Sequence, residues 1–203
     1  MNKNLKLRAI VWEIIVPIVL YYIVFLSTMY FIFAFIGHTA STYMIAQIIS
    51  AAITIPFMYF ASYKPTQQMF VKKTKIDRAL FINVIWVIVI TLFISFALNN
   101  IITMSPLIGL SEGYARANES FYASTLVIEL IGSAILSPIM EELVFRGIVF
   151  GNMRKIMNVP QAVFLSALLF GLIHFNIVQF VYAFYLAWCL QLLCISQGMC
   201  MRL

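Results

Sequence analysis

The fold class follows from an apolar run at residues 10–36, which reads IVWEIIVPIVLYYIVFLSTMYFIFAFI. A helix needs about 20 apolar residues to cross the hydrocarbon of a bilayer, and this run exceeds that length. It is too long for the apolar part of a secretory signal, and no cleavage site made of small residues leads into a soluble domain. We therefore expect the run to remain in the protein as a membrane anchor.

Five further apolar runs follow along the chain, near residues 43–62, 80–98, 123–150, 160–176 and 178–196. Of the 203 residues, 64% are hydrophobic and 10% are charged, whereas soluble domains are about 25% charged. The sequence predicts an all-α, polytopic bundle of five to six transmembrane helices that is solvated by the lipid bilayer. The count depends on residues 174–177, which form either a tight turn or a bend in a single helix.

The net charge of +6 does not indicate a nucleic-acid partner, because the basic residues are dispersed between apolar runs and form no single face. The basic groups are Lys3, Lys6 and Arg8, then Lys64, Lys72, Lys73, Lys75 and Arg78, then Arg154 and Lys155, and finally Arg202. The connection at 99–122 instead sets Arg116 against Glu112 and Glu119. By the positive-inside rule, the N-terminus and the basic connections are cytoplasmic. With no organelle signal, a multi-pass protein of a bacterial plasma membrane is expected.

Several isolated polar residues are interpreted as structural. Glu13 is expected at the membrane interface, His38 in a turn at 37–39, and Glu129 near the outer interface. The cysteines Cys189, Cys194 and Cys200 form neither a Cys-x-x-Cys pair nor a secreted disulfide framework.

The chemically informative segment is 137–147, SPIMEELVFRG, which places two carboxylates and an arginine in an apolar run. Each such charge in a membrane costs several kcal/mol unless it is paired or hydrated. Glu142 and Arg146 are four residues apart and share a helix face, so we expect an ion pair. Glu141 is rotated by about 100° and points elsewhere. Pro138 has no N–H to donate, and a kink there makes room for water.

His174 is the one ionisable group of the next apolar run. If the two helices pack antiparallel, Glu141 and His174 differ in depth by about four residues, or roughly 6 Å, which tilt and side-chain reach can close. A carboxylate and an imidazole in one cavity suit general-base activation of water. The alternative is structural: a Glu–Arg pair that joins helices, and a histidine that serves packing.

The pattern Glu141-Glu142-x-x-x-Arg146, followed by Phe170-x-x-x-His174, resembles the first two motifs of the CPBP intramembrane proteases. That family includes the CAAX prenyl endopeptidases and bacterial proteins of bacteriocin processing and self-immunity. The resemblance covers about residues 120–185. It implies hydrolysis of a peptide bond in a peptide or protein substrate at the membrane. Glu141 would activate the attacking water, His174 would be its partner, and Glu142 and Arg146 would be the supporting pair.

The resemblance leaves the cofactor open, because the family has been described both as metal-dependent and as glutamate-dependent. A catalytic zinc site normally has three protein ligands plus water, and one Glu with one His supplies too few. A divalent metal such as zinc is therefore not convincingly supported by the residues present.

The sequence departs from the family pattern after His174. The family continues with a helix that carries a histidine and, four residues later, an asparagine or aspartate, whereas no histidine follows here and Asn176 does not match. After Ala187 the composition changes, so our hypothesis is a coding sequence truncated or shifted in frame near residues 185–188. The competing interpretation is that the short form is genuine and acts without the last motif, or binds a peptide or partner without cutting it. We accordingly divide the chain into N-terminal transmembrane helices and loops (1–122), a partial catalytic core (123–186) and an atypical tail (187–203).

Two other functions remain open at this stage. One is a non-catalytic membrane protein that confers bacteriocin self-immunity by binding. The other is a proton-linked transporter in which Glu141, Glu142 and His174 relay protons, although no internal repeat or second charged helix supports it.

Overall fold

The computed structural model describes residues 8–67 and 78–196, and all the regular structure in these two ranges is helical. The predicted all-α class is confirmed. Its helices are α1 (Arg8–Ile36), α2 (40–67), α3 (Arg78–Met104), α4 (Glu112–Tyr122), α5 (126–156), α6 (Val159–Leu172) and α7 (Ile177–Ser196). Several residues used in the charge and cysteine analysis lie outside the described ranges, namely Lys3, Lys6, Lys72, Lys73, Lys75, Cys200 and Arg202.

Helices occupy all six positions at which apolar runs were predicted. Three are long and apolar enough to cross a membrane by length and composition: Arg8–Ile36, Thr42–Tyr63 and Phe81–Met104. Two shorter apolar helices, Val159–Leu172 and Ile177–Leu193, follow the charged helix α5. Large apolar side chains stay exposed along the three long helices, as in a protein that is solvated by lipid.

The turn predicted at 37–39 is confirmed. Gly37 ends α1 with a φ of 81°, which favours glycine because no side chain is present to clash. Thr39 then caps α2: its hydroxyl accepts from the backbone N–H of Thr42 at 3.3 Å, and the Thr42 hydroxyl accepts from the Thr39 N–H at 2.9 Å. Such a reciprocal box satisfies N–H groups that the first turn of a helix leaves free.

The chain divides into two compact units, of which the first comprises residues 1–68 and 116–158 and contains α1, α2 and α5. Near the end of α5, Asn152 Nδ2 donates to the backbone oxygen of Glu13 at 2.6 Å, and Lys155 Nζ lies 3.2 Å from Glu13 Oε2. Farther along, the rings of Tyr21 and Phe145 are 6.4 Å apart. Residue numbers thus rise on α1 as they fall on α5, so these two helices are antiparallel.

Helix α5 is irregular on both sides of Pro138. Wide, π-type turns span Leu130–Leu136 and Glu142–Phe150, with an α-helical segment at Ser137–Glu141 between them. A proline removes one helical hydrogen bond and its ring clashes with the preceding turn. Such wide turns are rare overall but common at functional sites, and the kink predicted at Pro138 stays a prediction.

The second unit comprises residues 69–115 and 159–203 and contains α3, α6 and α7. Helices α6 and α7 form an antiparallel pair joined by a tight turn, which resolves the junction left open by the sequence. Gly171 allows their close approach, because a Cβ there would lie 3.0 Å from the backbone oxygen of Phe180. Ser166 and Gln191, both buried, join the helices through a hydrogen bond of 2.9 Å. Helix α7 continues through Ala187 to Ser196.

Candidate active site

Glu142 and Arg146 form the predicted ion pair on α5. Arg146 Nη1 lies 2.5 Å from Glu142 Oε2, and the side chains are 21% and 49% exposed, respectively. The pair spans one helical turn at the beginning of the wide-turned segment Glu142–Phe150. A charge-assisted contact of this kind offsets part of the cost of placing two charged groups in an apolar setting.

Arg146 retains one further donor. Its Nε atom is buried and has no hydrogen-bond partner within the described residues. An arginine presents five donors in a fixed fork, so a single carboxylate oxygen satisfies only part of it. The Nε–H donor is thus available to a water or to a polar ligand group.

Glu141 lies on the same helix and is partly buried, and its rotation away from the ion pair stays a prediction from the helical period. The phenol groups of Tyr21 and Tyr22 on α1 are within direct electrostatic range of its carboxylate. Neither tyrosine was predicted from the sequence. The sequence feature that could have indicated them is a Tyr-Tyr pair near the middle of a mainly aliphatic and phenylalanine-rich span. A buried hydroxyl there requires a hydrogen-bond partner.

The glycine that ends the charged motif has a steric role. A Cβ at Gly147 would lie 2.5 Å from Cδ2 and Cε2 of Tyr63, a separation that real side chains do not show. Helix α2 therefore approaches α5 at the position where the motif requires the smallest residue. The sequence analysis quoted this glycine but assigned it no role.

His174 lies in the turn after α6 rather than inside that helix, because α6 ends at Leu172. Of the two alternatives for residues 174–177, a tight turn or a bend in a single helix, the structure shows the tight turn. The turn forms because Phe175 adopts a left-handed conformation, with a φ of 53°, and because the Asn176 side chain accepts from the Gln179 N–H at 2.8 Å to begin α7.

The imidazole of His174 is oriented by its own helix. Its Nδ1 lies 2.9 Å from the backbone oxygen of Phe170, and the Phe170 ring packs edge-on against it with a centroid distance of 5.2 Å. A carbonyl only accepts, so Nδ1 carries the proton of the neutral ring and Nε2 keeps its lone pair. The histidine thus presents Nε2 as an acceptor or base.

The structure brings together Glu142 and Arg146, and it sets Tyr21 and Tyr22 near Glu141. Glu141 belongs to the first unit and His174 to the second, so the convergence of these two residues stays a prediction. Within residues 8–67 and 78–196, no group of three or more His, Cys, Asp or Glu side chains could hold a metal ion. The donors described do not fit a zinc site of the usual composition.

Fold and sequence together define a class: an all-α membrane protein with paired carboxylates on an irregular apolar helix. Comparison with known families makes the class more specific. Residues 123–201 match the family model described as type II CAAX prenyl endopeptidase Rce1-like. The segment that holds Glu141, Glu142, Arg146 and His174 is thus similar, at family level, to CAAX-type intramembrane proteases, and the resemblance noted from the motifs is confirmed. No curated protein and no solved structure matches the chain significantly.

Proposed function

We propose that this chain is an intramembrane endopeptidase that hydrolyses a peptide bond of a membrane-associated peptide or protein. The observation that carries the proposal is the family match over residues 123–201, which includes all four candidate residues. The position of Glu141 supports it, because a carboxylate on an apolar helix is costly unless it is paired or hydrated, and a site that binds the attacking water supplies that hydration.

The proposed reaction is addition of water to the peptide carbonyl. Glu141 takes a proton from the attacking water, and the oxygen forms a bond to the carbonyl carbon. The proton then passes to the leaving nitrogen as the C–N bond breaks, which yields a carboxylic acid and an amine. His174 supports this step through Nε2, which its hydrogen bond to Phe170 leaves as the acceptor. Arg146, held by Glu142, has a free donor that can stabilise negative charge on the substrate.

The test is cleavage by the full-length protein, purified in detergent and returned to liposomes, of fluorogenic prenylated and unprenylated peptides. Glu141→Gln and His174→Ala should each lower the turnover number at least about 100-fold, as expected of general acid–base groups. Glu129→Gln and His38→Ala are the matched controls, one on α5 and one in the exposed turn after α1, and should retain activity.

A combined variant tests whether Glu141 and His174 act on one water. Residues that act as a unit are not additive, so Glu141→Gln/His174→Ala should be no slower than the slower single variant. If the double variant loses turnover by the product of the two single losses, the two residues do not share a role. Equal cleavage by wild type and Glu141→Gln would reject the proposed role of Glu141, and no cleavage by wild type would reject the proposed peptidase.

The proposed setting is the plasma membrane, with the N-terminus and the basic connections on the cytoplasmic side. This orientation rests on the distribution of basic residues. Labelling of single engineered cysteines from each side, at residue 38 and at residue 155, in a background without the native cysteines should show the first outside and the second inside.

A further inference from the structure

Two hydroxyl groups on α2 are buried and unpartnered. Ser50 and Thr54 are each 0% exposed, and neither Ser50 Oγ nor Thr54 Oγ1 has a hydrogen-bond partner within the part of the chain that the structure describes. Elsewhere in the protein, threonines on apolar helices bond to the carbonyl four residues earlier. Thr28 and Thr91 both do so at 2.6 Å.

Thr54 lies on the face of α2 that meets α5. Gln47 identifies this face, because its Nε2 donates to Ser137 Oγ at 2.7 Å. Thr54 follows Gln47 by seven residues, which is about two turns with an offset of roughly 20°, so the two side chains belong to one stripe. Ser50 is one turn before Thr54 on the same side of the helix.

Two contacts bracket the depth of Glu141 against α2. Ser137 on α5 contacts Gln47 on α2. Glu141 is four residues after Ser137, so by this contact it lies at the depth of residue 51 on α2. Gly147 on α5 lies beside Tyr63 on α2. Glu141 is six residues before Gly147, so by this second contact it lies at the depth of residue 57 on α2. Thr54 lies midway between these limits, and the helices run in parallel at about 1.5 Å per residue.

We propose that Ser50 and Thr54 bind a water molecule beside Glu141, and that Thr54 positions this water for hydrolysis. Buried water occupies sites where polar groups lack protein partners, and it makes about three hydrogen bonds there. The two hydroxyls and the carboxylate supply that number of partners. The positioning role rests on the proposed peptidase function, whereas the water site does not.

Thr54→Val tests the proposal because it removes the hydroxyl and keeps the shape of the side chain. The expected result is a turnover number about tenfold lower with an unchanged KM, since a hydrogen bond to the attacking water is lost. Thr54→Ser keeps the hydroxyl and should retain activity within about threefold.

Thr28→Val is the matched control, because its hydroxyl already bonds to the backbone. It should leave turnover unchanged. If Thr54→Val behaves as this control does, with full turnover, or if Thr54→Ser is as slow as Thr54→Val, Thr54 does not position the water.

A second measurement is independent of activity. The unfolding equilibrium in bicelles is compared for wild type, Thr54→Val, Glu141→Gln and the double variant. A shared water couples the two residues. The effect of the double variant on the equilibrium constant should therefore differ from the product of the two single effects by at least about threefold. If the effect of the double variant equals the product of the two single effects within experimental error, the water site is overturned. If wild type cleaves no peptide yet the coupling is present, the peptidase proposal fails and the water site stands.

Discussion

Replacing Gly147 by alanine should loosen the packing of α2 against α5. The added Cβ would lie 2.5 Å from Cδ2 and Cε2 of Tyr63, whereas carbon atoms in contact are normally about 3.5–4.0 Å apart. The ring must therefore move by about 1 Å or more. It cannot turn freely, because it stacks on Tyr59 with a centroid distance of 5.5 Å. Overpacking of this kind costs about 1–3 kcal/mol of unfolding free energy.

The assay is reversible unfolding of the full-length protein in bicelles, with Gly109→Ala as the control. A Cβ at Gly109 meets nothing within 4 Å, so that variant should unfold as wild type does. In a Tyr63→Ala background, Gly147→Ala should cost less than about 0.5 kcal/mol, because the obstructing ring is absent. If Gly147→Ala unfolds like wild type with Tyr63 in place, the ring adapts cheaply and the steric reasoning is wrong.

Three further predictions concern polar contacts, two that join helices and one that caps a helix. Asn152→Ala should lower the unfolding free energy by about 1–2 kcal/mol, because its 2.6 Å bond to a carbonyl of α1 is lost, while the exposed Asn100→Ala changes it by less than about 0.5 kcal/mol. Ser166→Ala alone should destabilise the α6–α7 pair by leaving Gln191 unsatisfied, and adding Gln191→Leu should restore most of that loss in the same unfolding assay. Asn176→Ala removes the cap of α7 and should cost about 1 kcal/mol, measurable as faster amide hydrogen exchange at the start of that helix; unchanged exchange would contradict the capping role.

Prediction from sequence worked well where a local pattern determines the outcome. Apolar runs longer than a bilayer crossing lead to helices, since backbone groups in lipid must bond within their own segment. The Glu142–Arg146 pair follows from a spacing of four residues on any helix. The turn at residues 37–39 follows from a glycine followed by a threonine cap.

Prediction was weaker where partners come from distant parts of the chain. Tyr21 and Tyr22 approach Glu141 only because α1 packs antiparallel to α5, and nothing near residue 141 in the sequence indicates it. The unpartnered hydroxyls of Ser50 and Thr54 cannot be read from sequence either. In an apolar helix a hydroxyl normally bonds to its own backbone, and only the packed side chains show where it does not.

The sequence by itself determined that this is an all-α membrane protein, which residues carry charge into its apolar helices, and which family its C-terminal segment resembles. Composition, spacing and motif order are sufficient for these conclusions, because each depends on neighbours along the chain. The tertiary structure alone decided that His174 lies in a turn with Nε2 available, that Gly147 admits Tyr63, and that Ser50 and Thr54 are buried without a hydrogen-bond partner among the described residues. These depend on how helices distant in sequence pack, and apolar helices without a polar face carry no periodicity from which that packing could be predicted.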